Sequence, residues 1–303
     1  MIQAEHLRKR YRKKVAVDDI SFTVETGKVT GFLGPNGAGK STTMRLMLGL
    51  DAGGGQTTFD GKKLHDYTRP SQVIGILLEA KAFHPTRTPY QHLRVLADAG
   101  GIAPQRVHEV LTIVGLHDVA KKKPGKFSLG MSQRLGIAAA ILGEPKYLML
   151  DEPANGLDPE GIAWLRQFIK DYADRGNAVF VSSHLLSEMA QMADNVVVIG
   201  KGKSIANTSI AKLLADNAHT TILVRSPKLA QLEKALTARK ATLSKSDKGL
   251  LVEGLTTDEI GQLAFKEGLP VYELASQTAS LESVFLELTA GAREYTAQTE
   301  GSK

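Results

Sequence analysis

One segment constrains the fold of this chain more than any other. It reads Gly34-Pro35-Asn36-Gly37-Ala38-Gly39-Lys40-Ser41 and fits the pattern G-x-x-x-x-G-K-S/T. The apolar run Val29–Leu33 before it is typical of a buried strand, and residues 42–48 after it have the pattern of a helix. A phosphate-binding loop requires this order of strand, loop and helix. The sequence therefore predicts an α/β fold of the P-loop NTPase type.

Each residue type in the loop has a chemical use. The glycines let backbone N–H groups turn toward phosphate oxygens, so the whole loop is assigned to the nucleotide. The Lys40 ammonium can reach the β- and γ-phosphates, and the Ser41 hydroxyl can hold Mg²⁺. Thr42, which follows at the start of the helix, is included in the predicted nucleotide site.

Composition places the chain among globular proteins. Its 303 residues suffice for two domains, and 42% hydrophobic with 23% charged residues is ordinary for that class. Because the sequence has no cysteine, disulfides, thiol catalysis and thiolate metal sites are excluded. No apolar stretch approaches a membrane span, and the first residues are too polar for a signal-peptide core, which predicts a cytoplasmic location.

The formal charge of +6 is unevenly distributed, with basic runs at residues 8–14 and 121–126. We favour the interpretation that both runs are solvated surface over the interpretation that they form a nucleic-acid-binding patch. No nucleic-acid partner is therefore expected. A third interpretation is attraction to a polyphosphate ligand or to anionic lipid near a membrane partner.

Hydrophobic periodicity divides the chain into domains. A nucleotide domain is predicted over residues 1–215, with strands at residues 17–24, 29–33, 147–150, 178–182 and 196–199. Strand signals thin out between about residues 75 and 141, where helical patterns at residues 89–99 and 105–114 predict a helical insertion. Residues 200–203 predict a tight hairpin turn before a short edge strand.

The rest of the chain has a different pattern. Its strands and helices follow the order βαββαβ, which predicts a small ferredoxin-like α+β accessory domain over residues 216–290. Residues 291–303 have little to bury and predict a flexible tail.

Two carboxylates end the apolar strand at residues 147–150. Parallel strands present their carboxyl ends at one edge of a sheet, so Asp151 is expected beside the P-loop, where it can bind Mg²⁺. Glu152 points differently and is free to polarise an attacking water.

Between these motifs lies Phe127-Ser128-Leu129-Gly130-Met131, followed by Gln133-Arg134. At this segment the sequence resembles the ATP-binding cassette (ABC) family, whose signature usually reads Leu-Ser-Gly-Gly-Gln. Leu129 and Met131 depart from that signature. Ser128 and Gly130 are retained, and the resemblance implies that they face the γ-phosphate of ATP.

Further motifs follow in the order of that family. Asn155-Gly156-Leu157-Asp158 is similar to the D-loop, which implies a position of Asp158 at a dimer interface next to the nucleotide. His184 matches the switch histidine that touches the γ-phosphate, and Tyr11 matches the aromatic residue that stacks on adenine. Glu79 stands where the family has the Q-loop glutamine, and it keeps an oxygen for Mg²⁺ or water.

The resemblance is closest to bacterial cassettes that serve peptide-antibiotic, lantibiotic and drug exporters. It implies an ATPase subunit that forms a homodimer around ATP and Mg²⁺ and works with a separate transmembrane permease, peripheral on the inner face of the cell membrane. Catalysis is assigned to Lys40, Glu152 and His184, and the metal to Ser41, Glu79 and Asp151.

Two other interpretations stay open. One is a soluble cassette protein that acts on the ribosome or DNA, but such proteins usually carry tandem cassettes or long coiled coils, and this sequence has one P-loop and no sustained heptads. The other makes the C-terminal region a regulatory ligand-binding module, although no residues there converge on a site.

Overall fold

The computed structural model describes residues 1–216, 220–239, 241–247 and 249–278. They form two compact units, the first ending at Ala211 and the second beginning at Lys212. The tail predicted for residues 291–303 lies outside the described residues. The predicted domain limits at residues 215 and 290 stay predictions.

The first unit contains two sheets and the helices around them. Its strands are β1 (Ile2–Tyr11), β2 (Lys14–Val24), β3 (Val29–Leu33), β4 (Gly54–Phe59), β5 (Ile74–Leu77), β6 (Tyr147–Leu150), β7 (Ala178–Ser183), β8 (Asn195–Gly200) and β9 (Lys203–Ser209). Its helices are α1 (Lys40–Met47), α2 (Pro89–Gly100), α3 (Gln105–Ile113), α4 (Leu129–Ala140), α5 (Pro159–Asp174), α6 (Leu186–Met192) and α7 (Ile210–Asp216), the last of which crosses the unit boundary. Short 3₁₀ segments lie at Leu64–Asp66, Pro70–Gln72, His117–Val119 and Pro124–Lys126.

The central sheet has the strand order β5-β6-β7-β3-β8-β9. All neighbouring pairs are parallel except β8 and β9, which form an antiparallel hairpin at the edge. Lys201 and Gly202 in its turn have φ of 48° and 78°, as a tight hairpin with the right-handed twist requires. The strands β3, β6 and β7 are buried along their whole length, which is why they read as continuous apolar runs.

A smaller antiparallel sheet with the order β2-β1-β4 covers the central one. Its inner face meets the central sheet through three phenylalanines whose ring centroids lie 5.1 to 5.6 Å apart, Phe22, Phe32 and Phe180. The sequence did not predict β1, because a bulge breaks its alternation: the register shifts between Ala4 and Leu7, and His6 has a φ of 53°.

The helices α2, α3 and α4 form the helical insertion between β5 and β6. The insertion was predicted to begin at about residue 75; in the structure β5, which ends at Leu77, pairs with β6 inside the central sheet, with Ile74 opposite Tyr147. The strand is short, and Gly75 weakens its apolar pattern. A Cβ atom at Gly75 would lie 2.0 Å from the Ala140 carbonyl oxygen, so the close approach of α4 requires glycine there.

The second unit has its own core. Its elements are β10 (Thr220–Arg225), α8 (Leu229–Ala238), β11 (Thr242–Ser246), β12 (Gly249–Glu253), α9 (Thr257–Lys266) and β13 (Glu273–Thr278). The element order is βαββαβ, the strand order is β11-β12-β10-β13, and every neighbouring pair is antiparallel. This is the ferredoxin-like arrangement that the sequence pattern predicts. Buried side chains of both helices, including Leu232, Leu236 and Ile260, pack on the sheet.

Candidate functional site

Three loops meet at one edge of the central sheet. Because β6, β7 and β3 are adjacent and parallel, their carboxyl ends lie side by side. The P-loop follows β3, Asp151 and Glu152 follow β6, and His184 follows β7. In open α/β sheets this edge is the usual ligand-binding position.

The P-loop borders a cavity of about 370 Å³, lined by Tyr11, Lys14, Ala16, Asn36, Gly37, Gly39, Lys40, Ser41, Thr42 and Glu152. Gly37 and Gly39 have φ of 81° and 106°, which only glycine adopts without strain. A Cβ atom at Gly39 would also lie 2.5 Å from the Ala16 carbonyl oxygen. The loop therefore leaves bare backbone facing the cavity, as phosphate oxygens require.

The remaining loop positions support this conformation. A Cβ atom at Gly34 would lie 2.7 Å from the Ile199 carbonyl oxygen, and Ala38 is buried in the core. The Ala38 N–H donates to the Pro35 carbonyl at 3.1 Å. Gly34, Pro35 and Ala38 therefore shape the loop from behind the cavity.

Lys40 is the buried cation of the site, with 7% of its side chain exposed. Its Nζ donates to the carbonyl oxygens of Gly34 at 2.7 Å and Pro35 at 3.4 Å. The same ammonium lies 3.1 Å from Oε1 of Glu152. The two carbonyls and the carboxylate thus occupy the donors that a phosphate would engage.

Ser41 and Asp151 provide two oxygen ligands side by side. The Ser41 hydroxyl donates to Oδ2 of Asp151 at 2.5 Å, and the Ser182 hydroxyl donates to Oδ1. Asp151 is buried at the end of β6, and its N–H donates to the Leu77 carbonyl of β5 at 2.7 Å. A hydroxyl and a carboxylate are the hard oxygen donors that Mg²⁺ prefers, so these residues fit that ion.

Glu152 lies between the other two residues predicted to act in catalysis. One carboxylate oxygen contacts Lys40, and the other lies 2.8 Å from Nδ1 of His184. Its backbone has a φ of 47°, in the left-handed region that non-glycine residues rarely adopt. Such strain persists only where surrounding contacts hold it, and it concentrates at functional sites.

Tyr11 lies where β1 ends beside the cavity. Its hydroxyl donates to Oδ2 of Asp51 at 2.7 Å, and Arg45 of α1 donates to Oδ1 of Asp51 from Nε and Nη2 at 3.2 and 3.1 Å. The ammonium of Lys9 lies 4.8 Å from the centre of the Tyr11 ring. The hydrogen bond to Asp51 raises the pKa of Tyr11, and the Arg45 guanidinium lowers the pKa of Asp51, so both groups stay in the states that form the bond.

Outside the P-loop, three predicted nucleotide residues are absent from the lining of this cavity, namely Ser128, Gly130 and Asp158. Ser128 caps α4 by accepting from the Met131 N–H at 3.1 Å, and Asp158 caps α5 by accepting from the Gly161 N–H at 2.9 Å. Gly130 faces Gly156, since a Cβ atom there would lie 3.1 Å from the Gly156 carbonyl oxygen. The signature and D-loop segments thus contact each other.

Glu79 is exposed on the loop after β5, and it lines a different cavity. That cavity, of about 590 Å³, lies between β5 and the helical insertion and is mainly apolar, with Phe83, His92, Leu96 and Leu135 among its lining residues. The structure therefore does not bring Glu79 into the lining of the P-loop cavity, which contains Ser41, the hydrogen-bond partner of Asp151.

Four residues of the site were not predicted from the sequence: Lys14 and Ala16 line the cavity, and Ser182 and Gln133 contact the acidic residues after β6. Ser182 contacts both Asp151 and Glu152, and Gln133 of α4 donates to the carbonyl oxygens of Glu152 and Asn155. Both are fully or almost fully buried. The available signal for Ser182 was its position as a polar residue at the end of an otherwise apolar buried strand, because a buried hydroxyl needs a hydrogen-bond partner.

Among the residues that the structure describes, no group of three or more His, Cys, Asp and Glu side chains is placed to hold a metal ion by itself. Within the same part of the chain, no helix has both the length and the apolar character needed to cross a bilayer.

Comparison with known proteins gives the family. A family model for ABC transporters matches residues 17–155, and a model of a domain of unknown function matches residues 220–282. The ABC transporter ATP-binding protein YhcH of Bacillus subtilis is 36% identical, covering 97% of each chain. The bacitracin transport ATP-binding protein BcrA of Enterococcus faecalis is 35% identical, covering 96% of this chain and 97% of its own.

A solved ATP-binding subunit of an ABC transporter superposes with a TM-score of 0.62 at 27% identity, covering 71% of this chain and 92% of its own. The fold of this chain is therefore that of an ABC ATPase. The chain thus belongs to the ATP-binding proteins of ABC transporters, and it binds and hydrolyses ATP.

Proposed function

We propose that this chain is the ATPase subunit of a multi-subunit exporter for a drug, a peptide antibiotic or a similar amphipathic substrate. The contact of Lys40 and His184 with Glu152 at the P-loop cavity carries the ATPase part of the proposal. The export part is supported by similarity over nearly the whole chain to a bacitracin transport protein.

ATP would bind with its phosphates on the P-loop and its adenine on Tyr11. The bare backbone at Gly37 and Gly39 and the ammonium of Lys40 suit the phosphates, while the half-exposed Tyr11 ring at the cavity wall suits the base. Lys14 and Thr42 line the same cavity and lie within reach of the nucleotide.

Ser41 and Asp151 would hold Mg²⁺ through their hydroxyl and carboxylate oxygens. When bound, the ion supplies neutralisation of the phosphate charge. Glu79 lines the second cavity. Its assignment to the metal therefore stays a prediction from the sequence.

Hydrolysis would use Glu152 to accept a proton from the attacking water. The water oxygen bonds to the γ-phosphorus while the bond from that phosphorus to the bridging oxygen breaks, giving ADP and phosphate. His184, in contact with Glu152, would orient the carboxylate and touch the γ-phosphate. Lys40 would move from Glu152 to the phosphates and stabilise their negative charge.

A second copy of the chain would complete the site. Ser128 and Gly130 lie outside the lining of their own chain's cavity, yet the start of helix α4 presents backbone N–H groups of the kind that bind phosphate. In a head-to-tail homodimer, Ser128 and Gly130 of each copy would face the ATP on the other P-loop. Asp158 would then lie at the dimer interface rather than on the nucleotide of its own chain.

The permease would bind at the helical insertion. The apolar cavity between β5 and the insertion offers a surface for a segment of the membrane subunit, and Glu79 lies at its wall. Glu79 follows β5 and Asp151 follows β6, and these two strands are neighbours in the sheet. A movement of the permease-binding surface would therefore be transmitted to the catalytic edge of the sheet. The chain would then be peripheral on the inner face of the cell membrane. Action on the ribosome or DNA is the less favoured function.

Two substitutions test the ATPase assignment. Lys40→Ala removes a charge-assisted phosphate contact and is expected to lose ATP affinity. Glu152→Gln is expected to bind ATP and to lower the hydrolysis rate by roughly 10²–10⁴, the range for loss of a general base. In size-exclusion chromatography with Mg-ATP, the Glu152→Gln variant should elute as a dimer. Hydrolysis by this variant at the wild-type rate would refute the catalytic assignment.

The partner is tested by co-expression with the cognate permease. Recovery with membranes that requires the permease and survives nuclease treatment is expected for a transporter subunit. Recovery with ribosomes or DNA that nuclease abolishes, together with indifference to the permease, would favour the nucleic-acid interpretation.

A further inference from the structure

The peptide groups of Glu152 are held on both sides by side chains that have no part in the mechanism above. The Glu152 N–H donates to Oγ of Ser182 at 2.8 Å. On the other side, the Glu152 carbonyl accepts from Nε2 of Gln133 at 3.3 Å. Glu152 itself has a φ of 47°, a conformation that a glutamate rarely adopts without such support.

Ser182 has a defined orientation because both functions of its hydroxyl are used. The oxygen accepts from the Glu152 N–H, and the proton goes to Oδ1 of Asp151. The side chain is 0% exposed, so no solvent competes for these bonds. One hydroxyl thus fixes the two consecutive acidic residues of the site relative to each other.

Gln133 holds the opposite side from another element. It lies on α4, the helix that Ser128 caps, and is 4% exposed. Its Nε2 also donates to the Asn155 carbonyl at 3.4 Å, so both amide protons go to the loop that follows β6. Its Oε1 is buried without a hydrogen-bond partner among the described residues, which is a cost that the two donated bonds offset.

We propose that Ser182 and Gln133 are positioning residues that hold the Glu152 backbone in its left-handed conformation. This conformation directs the Glu152 carboxylate to the place between Lys40 and His184. Because Gln133 belongs to α4, it also ties the orientation of Glu152 to the helix that begins at Ser128. The inference rests on the proposed role of Glu152 as the residue that accepts the proton of water.

The alternative is that both side chains only stabilise the fold. A folding role predicts lower stability with little change in the turnover of the folded protein, whereas a positioning role predicts a lower kcat with nucleotide affinity retained. Two substitutions separate these roles in the full chain. Ser182→Ala removes the hydroxyl, and Gln133→Met keeps the side-chain length while removing the amide donor.

Both variants are expected to lower kcat by roughly 10- to 100-fold, the range for partners that orient a catalytic group, with ADP affinity within about threefold of wild type. Ser182→Thr keeps the hydroxyl and should recover most of the rate. Thr30→Val is the matched control, because Thr30 is a buried residue of the same sheet whose hydroxyl has no partner among the described residues. It should leave kcat near the wild-type value.

Combination with Glu152→Gln gives the decisive test. If Ser182 acts through Glu152, Ser182→Ala adds nothing to the residual rate of the Glu152→Gln variant, since the effects of residues that act as a unit do not add. A wild-type kcat in Ser182→Ala, or an equal further loss in the double variant, would overturn the positioning role. A wild-type rate in Glu152→Gln alone would instead overturn the catalytic role on which the inference depends.

Discussion

The contact between Lys40 and Glu152 predicts that removing the Glu152 charge strengthens nucleotide binding. In the structure, Oε1 of Glu152 lies 3.1 Å from Nζ of Lys40, the ammonium proposed to engage the phosphates. Binding therefore requires this ion pair to open. In Glu152→Gln, the neutral amide no longer forms an ion pair with Lys40. The phosphates can then bind the ammonium without the free-energy cost of breaking that pair.

The magnitude follows from burial and distance. The side chains of Lys40 and Glu152 are 7% and 21% exposed, so the burial of this ion pair is intermediate between that of a surface pair and that of a fully buried pair. Coulomb attraction at this separation is about 5 kcal/mol at an effective dielectric constant of roughly 20, which is a ceiling before desolvation is counted. Exposed pairs are worth about 0.2–1 kcal/mol. A net value of about 1–2 kcal/mol corresponds to roughly 5- to 30-fold tighter binding.

Equilibrium titration with ADP measures this effect. ADP lacks the γ-phosphate that the proposed dimer encloses, so trapping of a dimer does not add to the apparent affinity. Glu160→Gln removes the same charge at an exposed position in the first turn of α5 and is the matched control. It should leave ADP affinity close to wild type. Equal ADP affinities of the wild type, Glu152→Gln and Glu160→Gln would refute the argument.

Three further predictions concern single side chains. Tyr11→Phe keeps the ring but loses the hydrogen bond to Asp51, so ATP affinity should fall about 3- to 10-fold. Affinity for tripolyphosphate, which has no base, should stay unchanged. An equal loss of affinity for both ligands would contradict a role of Tyr11 in adenine binding. Burial lowers the pKa of His92, so its contribution to stability is present above the unfolded value of about 6.5 and is lost as pH falls toward the lower folded value. The thermal midpoint of the wild type should therefore fall more steeply from pH 8 to 5.5 than that of His92→Leu, and parallel curves would contradict this. Glu79→Gln should leave ATP binding nearly intact and Glu79→Ala should weaken Mg²⁺-dependent turnover, whereas wild-type Mg²⁺ dependence in Glu79→Ala would remove Glu79 from the metal site.

The elements that the sequence predicted best are those whose burial is uniform. Val29–Leu33 and Tyr147–Leu150 have the bounds that their apolar runs predicted. A strand covered on both faces has no exposed position, so its run of buried residues begins and ends with the strand. Ile74–Leu77 lies where the predicted insertion begins and was not among the predicted strands, since a run of four residues that includes a glycine is a weak strand signal. Its place in the sheet depends on the pairing with β6, which no local pattern records.

The site divides in a similar way. The position of Asp151 beside Ser41 of the P-loop was predictable, because fixed spacing within a motif places Ser41 and the end of a strand places Asp151. The contact of Lys40 with Glu152 was not, because it joins residues 112 positions apart through the order of the strands in the sheet. Ser182 shows the same limit, since its contacts with Asp151 and Glu152 join residues 31 and 30 positions apart, whereas the hydroxyl of the neighbouring Ser183 accepts from the Leu185 N–H.

The departure at Leu129 from the usual glycine of the ABC signature also has a structural reason. Leu129 begins α4 directly after the cap residue Ser128, and its side chain packs over Gly156 of the D-loop segment, where a Cβ atom would lie 2.2 Å from Cδ2 of Leu129. Gly156 also has a φ of 78°, so two independent constraints require glycine there. The leucine is therefore accommodated against the D-loop segment of its own chain, while Ser128 caps the helix and Gly130 is retained. Because the leucine is 43% exposed, the signature segment keeps an apolar surface at the start of α4, where the second copy is proposed to bind. Contact between the two copies would bury this surface.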